Sequence, residues 1–417
     1  MPLSSRTCDI AIAGAGAAGL ATAIFAKRFH PTTSVVLLDG ARRLGAKILV
    51  SGGSRCNITN ASVSEADFWG GRRTVIRRVL RHFSVADTIA FFRELGVRLH
   101  VEDDGKLFPD SNRAREVLDA LVNAAHSAGV TIVTGARVSR VATRDGGFTL
   151  STDLGMLDAR RAVLATGGRS LPKSGSDGSG FGIAQRLGHT IVPTTPGLVP
   201  LLLGPGGDAL NRELSGVAHD AELTLWIDDA VDIRLTGSLL WTHFGISGPV
   251  TLDMSRHWLR AVLDQRQAAL TLSFCPGRSF EDLERWWASR VHDRPQSSIA
   301  TTLSTLLPAS VATAVVRRLQ QRADTPLAHL ERTDRRRLSH ALVKWPLHVT
   351  GDRGYNYAEV TAGGISLDEI DPSTMQSRVC EGLSLVGEVL DVDGRIGGFN
   401  FQWAWSSAHV AASALGT

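Results

Sequence analysis

The sequence predicts an α/β fold in which a parallel sheet of strand–helix units is interrupted by a segment of short strands and further helices. Three observations carry this reading. A short apolar strand, Ile10 to Ala13, runs straight into Gly14, Gly16 and Gly19, which open an Ala-rich helical stretch. A second apolar strand, Val35 to Leu38, ends on Asp39, twenty residues past Gly19. After Pro193 the chain becomes rich in Pro and Gly, then in short strand-like and helical runs, until a glycine-rich tail restores strand, loop and helix from Leu383 onward.

The first two observations define a dinucleotide-binding unit. Gly14 permits the tight turn off the strand, Gly16 has no Cβ to hold a pyrophosphate away, and Gly19 lets the helix pack closely on the sheet. From Gly16 through Ala17 and Ala18 the helix start offers unpaired N–H groups and a positive dipole end to phosphates. Asp39 accepts hydrogen bonds from the adenosine ribose, and its charge disfavours a 2′-phosphate there. A glycine triplet alone is a weak signal; flanking strands and an acid in register make it specific.

Composition bounds what the rest of the chain does. At 417 residues there is material for two or three domains. A formal charge of +4 is small for that length and excludes a strong polyelectrolyte. Cys8, Cys56, Cys275 and Cys380 are scattered and form no C-x-x-C pair, so neither a disulfide framework nor a zinc or other metal site is indicated. The N-terminal apolar stretch is the first strand, not a signal-peptide core, and no run reaches the roughly 18 apolar residues of a membrane span. The expectation is a cytoplasmic protein without a membrane partner; composition is silent on its oligomeric state.

The elements follow in order. The Arg-rich zone after Gly70 predicts two helices, with Val79, Leu80 and Phe83 on one core face and Ile89, Phe92 and Leu95 on another. A further helix ends at Gly129, and strands with an Asp145-Gly146 hairpin signal close on Ala162 to Ala165. Thr166, Gly167 and Gly168 come next. Such an A-T-G turn after a β-meander is the pattern of a flavoprotein, the alternative being an ordinary glycine turn. Beyond Pro193, ELTLWI, VDIRLTGSLL, PVTLDM and AALTLSF read as short strands, and Ser279 to His340 as helices. Near Tyr355 to Val360 the pattern is strand-like again. The domains predicted are therefore 1–192, an insertion at 193–357, and 358–417, where the first domain resumes.

The tail identifies the dinucleotide. A strand from Leu383 ends in Gly387-Glu388, a loop carries Gly394, Gly397 and Gly398, and a last Ala-rich helix follows. Two-domain flavoproteins complete an FAD site this way: the acid bonds the ribityl chain, and the helix start faces the pyrimidine end of the flavin.

With GAGAAG, GAKILVSGGSRCNITN, ATGG, SGSDGSGFGIAQRLGH, WTHFGISGP, EVTAGGIS and GEVLDVDGRIGGFNFQWAWSS, the chain resembles the BaiN/RdsA-type bacterial flavoproteins, also described as aminoacetone-oxidase-like FAD enzymes, from Ile10 to near its C-terminus. The resemblance implies a Rossmann-type, glutathione-reductase-like FAD-binding domain interrupted by a small β-barrel plus a helical subdomain. It implies that Gly14, Gly16, Gly19 and Asp39 hold the ADP half, and that Lys47, Ser51, Gly52, Arg55, Cys56 and Asn57 lie along the middle and flavin end. Val138 meets the adenine, Thr166 and Gly167 pass the pyrophosphate, and Gly387, Glu388, Gly398, Asn400 and Phe401 complete the pocket. One departure is Ala408, where relatives often carry glycine.

No second glycine unit of nicotinamide type follows. Gly175 to Gly182 lacks both a preceding strand and a downstream acid, which favours a structural role, so NAD(P)H docks transiently or electrons come from elsewhere. The resemblance implies reduction of a carbon–carbon double bond conjugated to a carbonyl: a hydride from flavin N5 to the β carbon, a donor on the carbonyl oxygen, a proton to the α carbon. The small-molecule substrate is then an enone. Uridine in 23S ribosomal RNA, reduced to dihydrouridine, is an alternative; oxidation of a small amine by O₂ is another, and a non-catalytic flavin redox sensor a third. Cys56 is a candidate proton donor or inert packing, and His243 a group facing the flavin or a turn histidine. Tyr355, with Tyr357 and Arg353, either polarises a carbonyl or packs the barrel. Between residues 311 and 345 eight basic residues face three acids, a patch for RNA phosphates or a solvated helix face. Arg72, Arg73, Arg77, Arg78 and Arg81 form a second cluster that suits a nicotinamide phosphate equally well.

Overall fold

The computed structural model describes residues 6–204 and 210–416, and the end of the Pro/Gly-rich stretch predicted after Pro193 lies outside them. It divides into two compact units, one of Met1–Pro196 with Ala358–Thr417, the other of Gly197–Tyr357. The sequence placed these boundaries at 193 and 357.

In the first unit, β1 (Arg6–Ala13) is flanked in parallel by β2 (Val35–Asp39) and by the long strand Gly155–Leu164. The helix α1 (Ala17–Phe29) joins β1 to β2 by the crossover that parallel pairing requires. Thr131–Thr134 extends the sheet beyond β2, again in parallel. The strand Gly155–Leu164 has two partners along its other edge. Its first half pairs antiparallel with Gly147–Thr152, and Ala162–Leu164 pairs in parallel with Leu383–Leu385. The tail thus re-enters the sheet beside the A-T-G turn. Ile10 to Ala13 of β1, Val35 to Leu38 of β2 and Ala18 to Ala26 of α1 are buried, which is why these strands read as continuous apolar runs. The chain leaves this unit along Ile191–Gly197 and re-enters along Val360–Ile365, and these two strands pair with each other.

The two helices after Gly70 are Arg73–His82 and Val85–Glu94. The second buries Thr88, Phe91 and Phe92, so its core face is turned by about half a step from the predicted one through Ile89. Ser84 caps it in a reciprocal box with Asp87.

The second unit carries a seven-stranded antiparallel sheet with Trp345–Leu347 at one edge and Val349–Asp352 at the other. His348 alone separates these two edge strands in sequence, so the sheet has to curl until its edges meet, a barrel closed by the chain itself. PVTLDM is a correction: it opens the helix Pro249–Leu263. Proline at the first helical position and burial of Val250, Thr251, Met254, Ser255, Trp258 and Leu259 follow helical spacing, which its β-branched opening obscured. Tyr355 to Tyr357 is a turn and not a strand. Helices Phe280–Asp293, Ile299–Leu303, Ala309–Arg318 and Arg332–Val343 make up the helical piece. Among the described residues no helix is long and apolar enough to cross a membrane.

Candidate functional site

The glycine turn folds as its chemistry demands. Gly14 sits at φ +104°, and a Cβ there would press on the backbone carbonyl of Ala165. A Cβ on Gly19 would land on the carbonyl oxygen of Gly14, which makes glycine obligatory where helix, strand and A-T-G turn converge. Gly16 differs: a Cβ there meets nothing within 4 Å. Its missing side chain leaves open space in front of the start of α1, whose first N–H groups have no capping side chain. Asp39 takes the Ala15 N–H on Oδ2 and the Ala41 N–H on Oδ1, both at 2.7 Å, so it fixes the glycine turn as well as offering lone pairs to a ribose. The Asp39 carbonyl accepts from Ala136 at 2.8 Å, which brings the strand start at Val138 close to the end of β2.

The residues present fit a bound FAD. Buried polar atoms without a hydrogen-bond partner occur in two segments assigned to it, at Asn57 Oδ1 and Thr166 Oγ1, and at the neighbouring Ser176 Oγ. Orphaned buried polar atoms cost about 1–3 kcal/mol each unless a ligand satisfies them. Gly167, at φ +71°, brings its backbone against Ser176.

The loop 51–57 is unusual in its backbone. Gly52, Gly53, Ser54 and Cys56 all have φ between +54° and +68°. For Ser54 and Cys56 that conformation costs about 1–2 kcal/mol each, which the surrounding contacts hold in place. Ser51 donates its hydroxyl to the Ile48 carbonyl at 2.8 Å and its own carbonyl accepts from Cys56 at 3.0 Å. Arg55 lays its guanidinium on Phe108, 4.0 Å from the ring centre, and pairs with Glu102 at 2.6 Å, which makes it a brace of the loop. Cys56 is fully buried, and burial pushes its thiol up to about 12. Full burial and a raised pKa keep this thiol protonated, the environment of an inert packing cysteine more than of a reactive one.

Lys47 and Glu388, 341 residues apart in sequence, form an ion pair. Lys47 also donates to Ser170 Oγ at 2.7 Å, and Ser170 donates to Glu388 Oε1 at 2.8 Å. Thr361 adds its N–H to Glu388 Oε1 at 3.0 Å, while its hydroxyl accepts from the backbone of Arg169 and Ser170 at 2.7 and 3.1 Å. Glu388 is thereby the hub of four segments. The Glu359 carbonyl accepts from Ser170 Oγ at 3.3 Å, and its side chain reaches open space although protein rings it. Loss of hydration raises the Glu359 carboxyl above its ordinary 4.5, with the Lys47 charge opposing. Ser170, Thr361 and Glu359 escaped the sequence reading. The only signal was a polar residue inside the apolar run Val360–Ile365 and a serine just past the A-T-G turn.

The last helix, Phe399–Ala414, starts on Gly398 at φ +94°. Asn400 pairs with both backbone groups of Gly394, at 2.8 and 2.9 Å, so its amide shapes the preceding loop. Phe401 stacks on Trp405 at 5.6 Å. Trp403 donates to the Gly387 carbonyl at 3.2 Å and Trp405 to the Ile58 carbonyl at 2.9 Å. The aromatic residues of the tail string therefore tie the helix to the loops at Gly387 and Ile58. Ala408 is fully buried.

His243 and Tyr355 belong to the second unit. Leu201–Leu203 pairs with Gly245–Ser247 on one side and Val349–Asp352 on the other, so the turns flanking those strands emerge near one another. His243 is exposed and meets Phe244 edge-on at 5.1 Å. Arg353 lies 4.4 Å over Phe244 and 3.5 Å over Tyr357. Tyr355 is half-buried in the same turn. Among the described residues no group of three or more His, Cys, Asp or Glu side chains is placed to hold a metal ion.

With this geometry in place, residues 8–414 match the family described as "HI0933-like protein Rossmann domain". The chain is 34% identical over 410 residues to the ribosomal RNA dihydrouridine synthase of Escherichia coli, covering 98% of each. It is 31% identical over 405 residues to the 3-dehydro-bile acid delta(4,6)-reductase of Clostridium scindens, covering 97% of this chain and 98% of that one. A solved quinol-fumarate reductase with menaquinol molecules is similar in fold, at a TM-score of 0.50 and 16% identity, covering 98% of this chain and 71% of that one.

Proposed function

Because the chain belongs to the HI0933-like Rossmann family and is an FAD-dependent oxidoreductase, we propose that it reduces a carbon–carbon double bond conjugated to a carbonyl, with NAD(P)H as the transient electron donor. The observation that carries this is chemical. A delta(4,6)-reductase and a dihydrouridine synthase, at similar distances in sequence, both act on a C=C bond next to a carbonyl. FAD, when bound, supplies the two-electron chemistry. The chain's own residues hold and shield it: the start of α1 and Asp39 take the ADP half, and the Lys47–Glu388–Ser170 network takes the ribityl and flavin end. Glu359, its carboxyl raised by loss of hydration against the pull of Lys47, holds its proton more tightly than an exposed carboxyl and is a candidate proton source.

A second reading narrows the substrate to uridine in ribosomal RNA. One surface favours it: Arg332, Arg336, His340 and Lys344 stand four residues apart along one helix and its end, and all are exposed. Arg336 lies 5.2 Å over Phe280, which stacks on His340 at 4.1 Å, and Lys344 lies 4.0 Å over Trp226. Cations interleaved with aromatic faces suit a flexible nucleic acid strand.

Anaerobic stopped-flow mixing with NADH and NADPH, then with an enone or a uridine-containing RNA, tests both. The flavin is expected to bleach with a pyridine nucleotide and to recover its colour with a conjugated acceptor. Bleaching that only O₂ reverses would sink the reductase reading.

A further inference from the structure

We propose that a cleft within the second unit binds a free α-amino acid with an apolar side chain, a site independent of the reductase reading. The cleft measures about 520 Å³, inside the roughly 300–1,000 Å³ range of small-molecule sites. Three segments wall it: the start of the strand Ala218–Ile227, the turn after the strand Ala268–Ser273, and the connection from Ile299–Leu303 to Ala309–Arg318.

Much of the lining is rigid and neutral. His219 stacks on Phe274 at 5.8 Å, and Trp345 meets Phe274 edge-on at 5.8 Å. His219 donates from Nδ1 to the Asp220 carbonyl at 2.8 Å and accepts from Trp241 Nε1 on Nε2 at 3.0 Å, so both ring nitrogens are engaged. Burial lowers the pKa of His219 and pushes the Cys275 thiol up to about 11, which leaves both uncharged at neutral pH. Leu306 and Leu307 add apolar surface, and their N–H groups bond the Leu303 carbonyl at 2.9 and 3.0 Å, which holds that connection in shape.

Two charges remain among the lining residues, Asp220 and Arg278. Both are exposed, and neither makes an ion pair among the described residues, with the other or with any third group. The helix Ala309–Arg318 begins from Pro308 at the edge of the cleft and has no acid in its first turn, so nothing there competes for a carboxylate. An apolar lining with one unneutralised charge of each sign is complementary to a zwitterion. Its ammonium suits Asp220, its carboxylate suits the planar fork of Arg278, and its side chain packs on Phe274, Leu306 and Leu307. A simple anion would face Asp220, and a simple cation would face Arg278, so each meets a like charge that the zwitterion turns into a partner.

Calorimetric titration of the FAD-loaded protein with L-phenylalanine is expected to show binding. 3-Phenylpropionate lacks the ammonium and 2-phenylethylamine lacks the carboxylate, and each should bind at least about 10-fold more weakly. Arg278→Gln should weaken L-phenylalanine by a similar factor while 2-phenylethylamine binds no worse than before. Asp220→Asn should likewise weaken L-phenylalanine and leave 3-phenylpropionate no worse. Melting temperatures equal to the parent's show that both variants fold, as substitutions at exposed positions should. No heat with L-phenylalanine, equal affinity for the three ligands, or an affinity untouched by both substitutions overturns the proposal. Reduction of a conjugated acceptor by the parent is a separate readout, so either reading can fail without the other.

Discussion

Glu359 shows how much a single position decides. Its carboxyl is raised above 4.5 because loss of hydration outweighs the attraction of Lys47. A raised folded-state value means that the folded protein holds this proton more tightly than the unfolded chain does. Stability therefore falls as pH climbs from 4.5 through the folded value, and is unaffected by this group below 4.5. Glu359→Gln cannot ionise, so the FAD-free variant should melt at the parent's temperature near pH 4 and above it at pH 7. A melting gap that stays constant across that range would show that the carboxyl is not perturbed. Neither the raised value nor its cause was legible in the sequence, since Glu359 owes its surroundings to Lys47 and Ser170, which arrive from segments far away in the chain.

At the scale of the element, the last helix explains why the tail string is so specific. Gln402 is almost fully buried. It accepts from Thr59 at 2.6 Å and Thr88 at 2.9 Å, and donates to the Phe83 carbonyl at 3.0 Å and Ser406 at 3.1 Å. Replacing it by Leu leaves the buried Thr59 hydroxyl without its partner and removes one bond each from Thr88, Ser406 and the Phe83 carbonyl, a loss of roughly 2–4 kcal/mol that urea unfolding would measure. Local pattern predicted this helix, as it predicted α1 and the Asp145-Gly146 hairpin, because each carries its own periodicity or turn chemistry. It failed at PVTLDM, where strand-forming residues occupy a helix start that Gly248 and Pro249 set up. It gave no sign that Asn400 and Arg55, both assigned to the cofactor, also shape their loops. Residue type reveals that a side chain is polar; only the partners reveal what it holds.

For the whole molecule, the division into two units predicts how the cofactor acts on stability. The groups fitted to FAD belong to Met1–Pro196 and Ala358–Thr417, while Gly197–Tyr357 has its own curled sheet and core. A ligand stabilises what it binds, by about 2.7 kcal/mol at a concentration 100 times its dissociation constant. Calorimetry should therefore resolve two transitions, with added FAD raising one and leaving the other in place. A single transition that moves as a whole would show that the units unfold together.

The position of Phe399–Ala414 also orders events during synthesis. Trp403 and Trp405 are fully buried against loops made some 340 residues earlier, at Ile58, and sixteen residues earlier, at Gly387. A nascent chain halted before this helix would carry a complete glycine turn yet an unroofed pocket, so translation has to pass Ala414 before the vitamin-derived group can be retained.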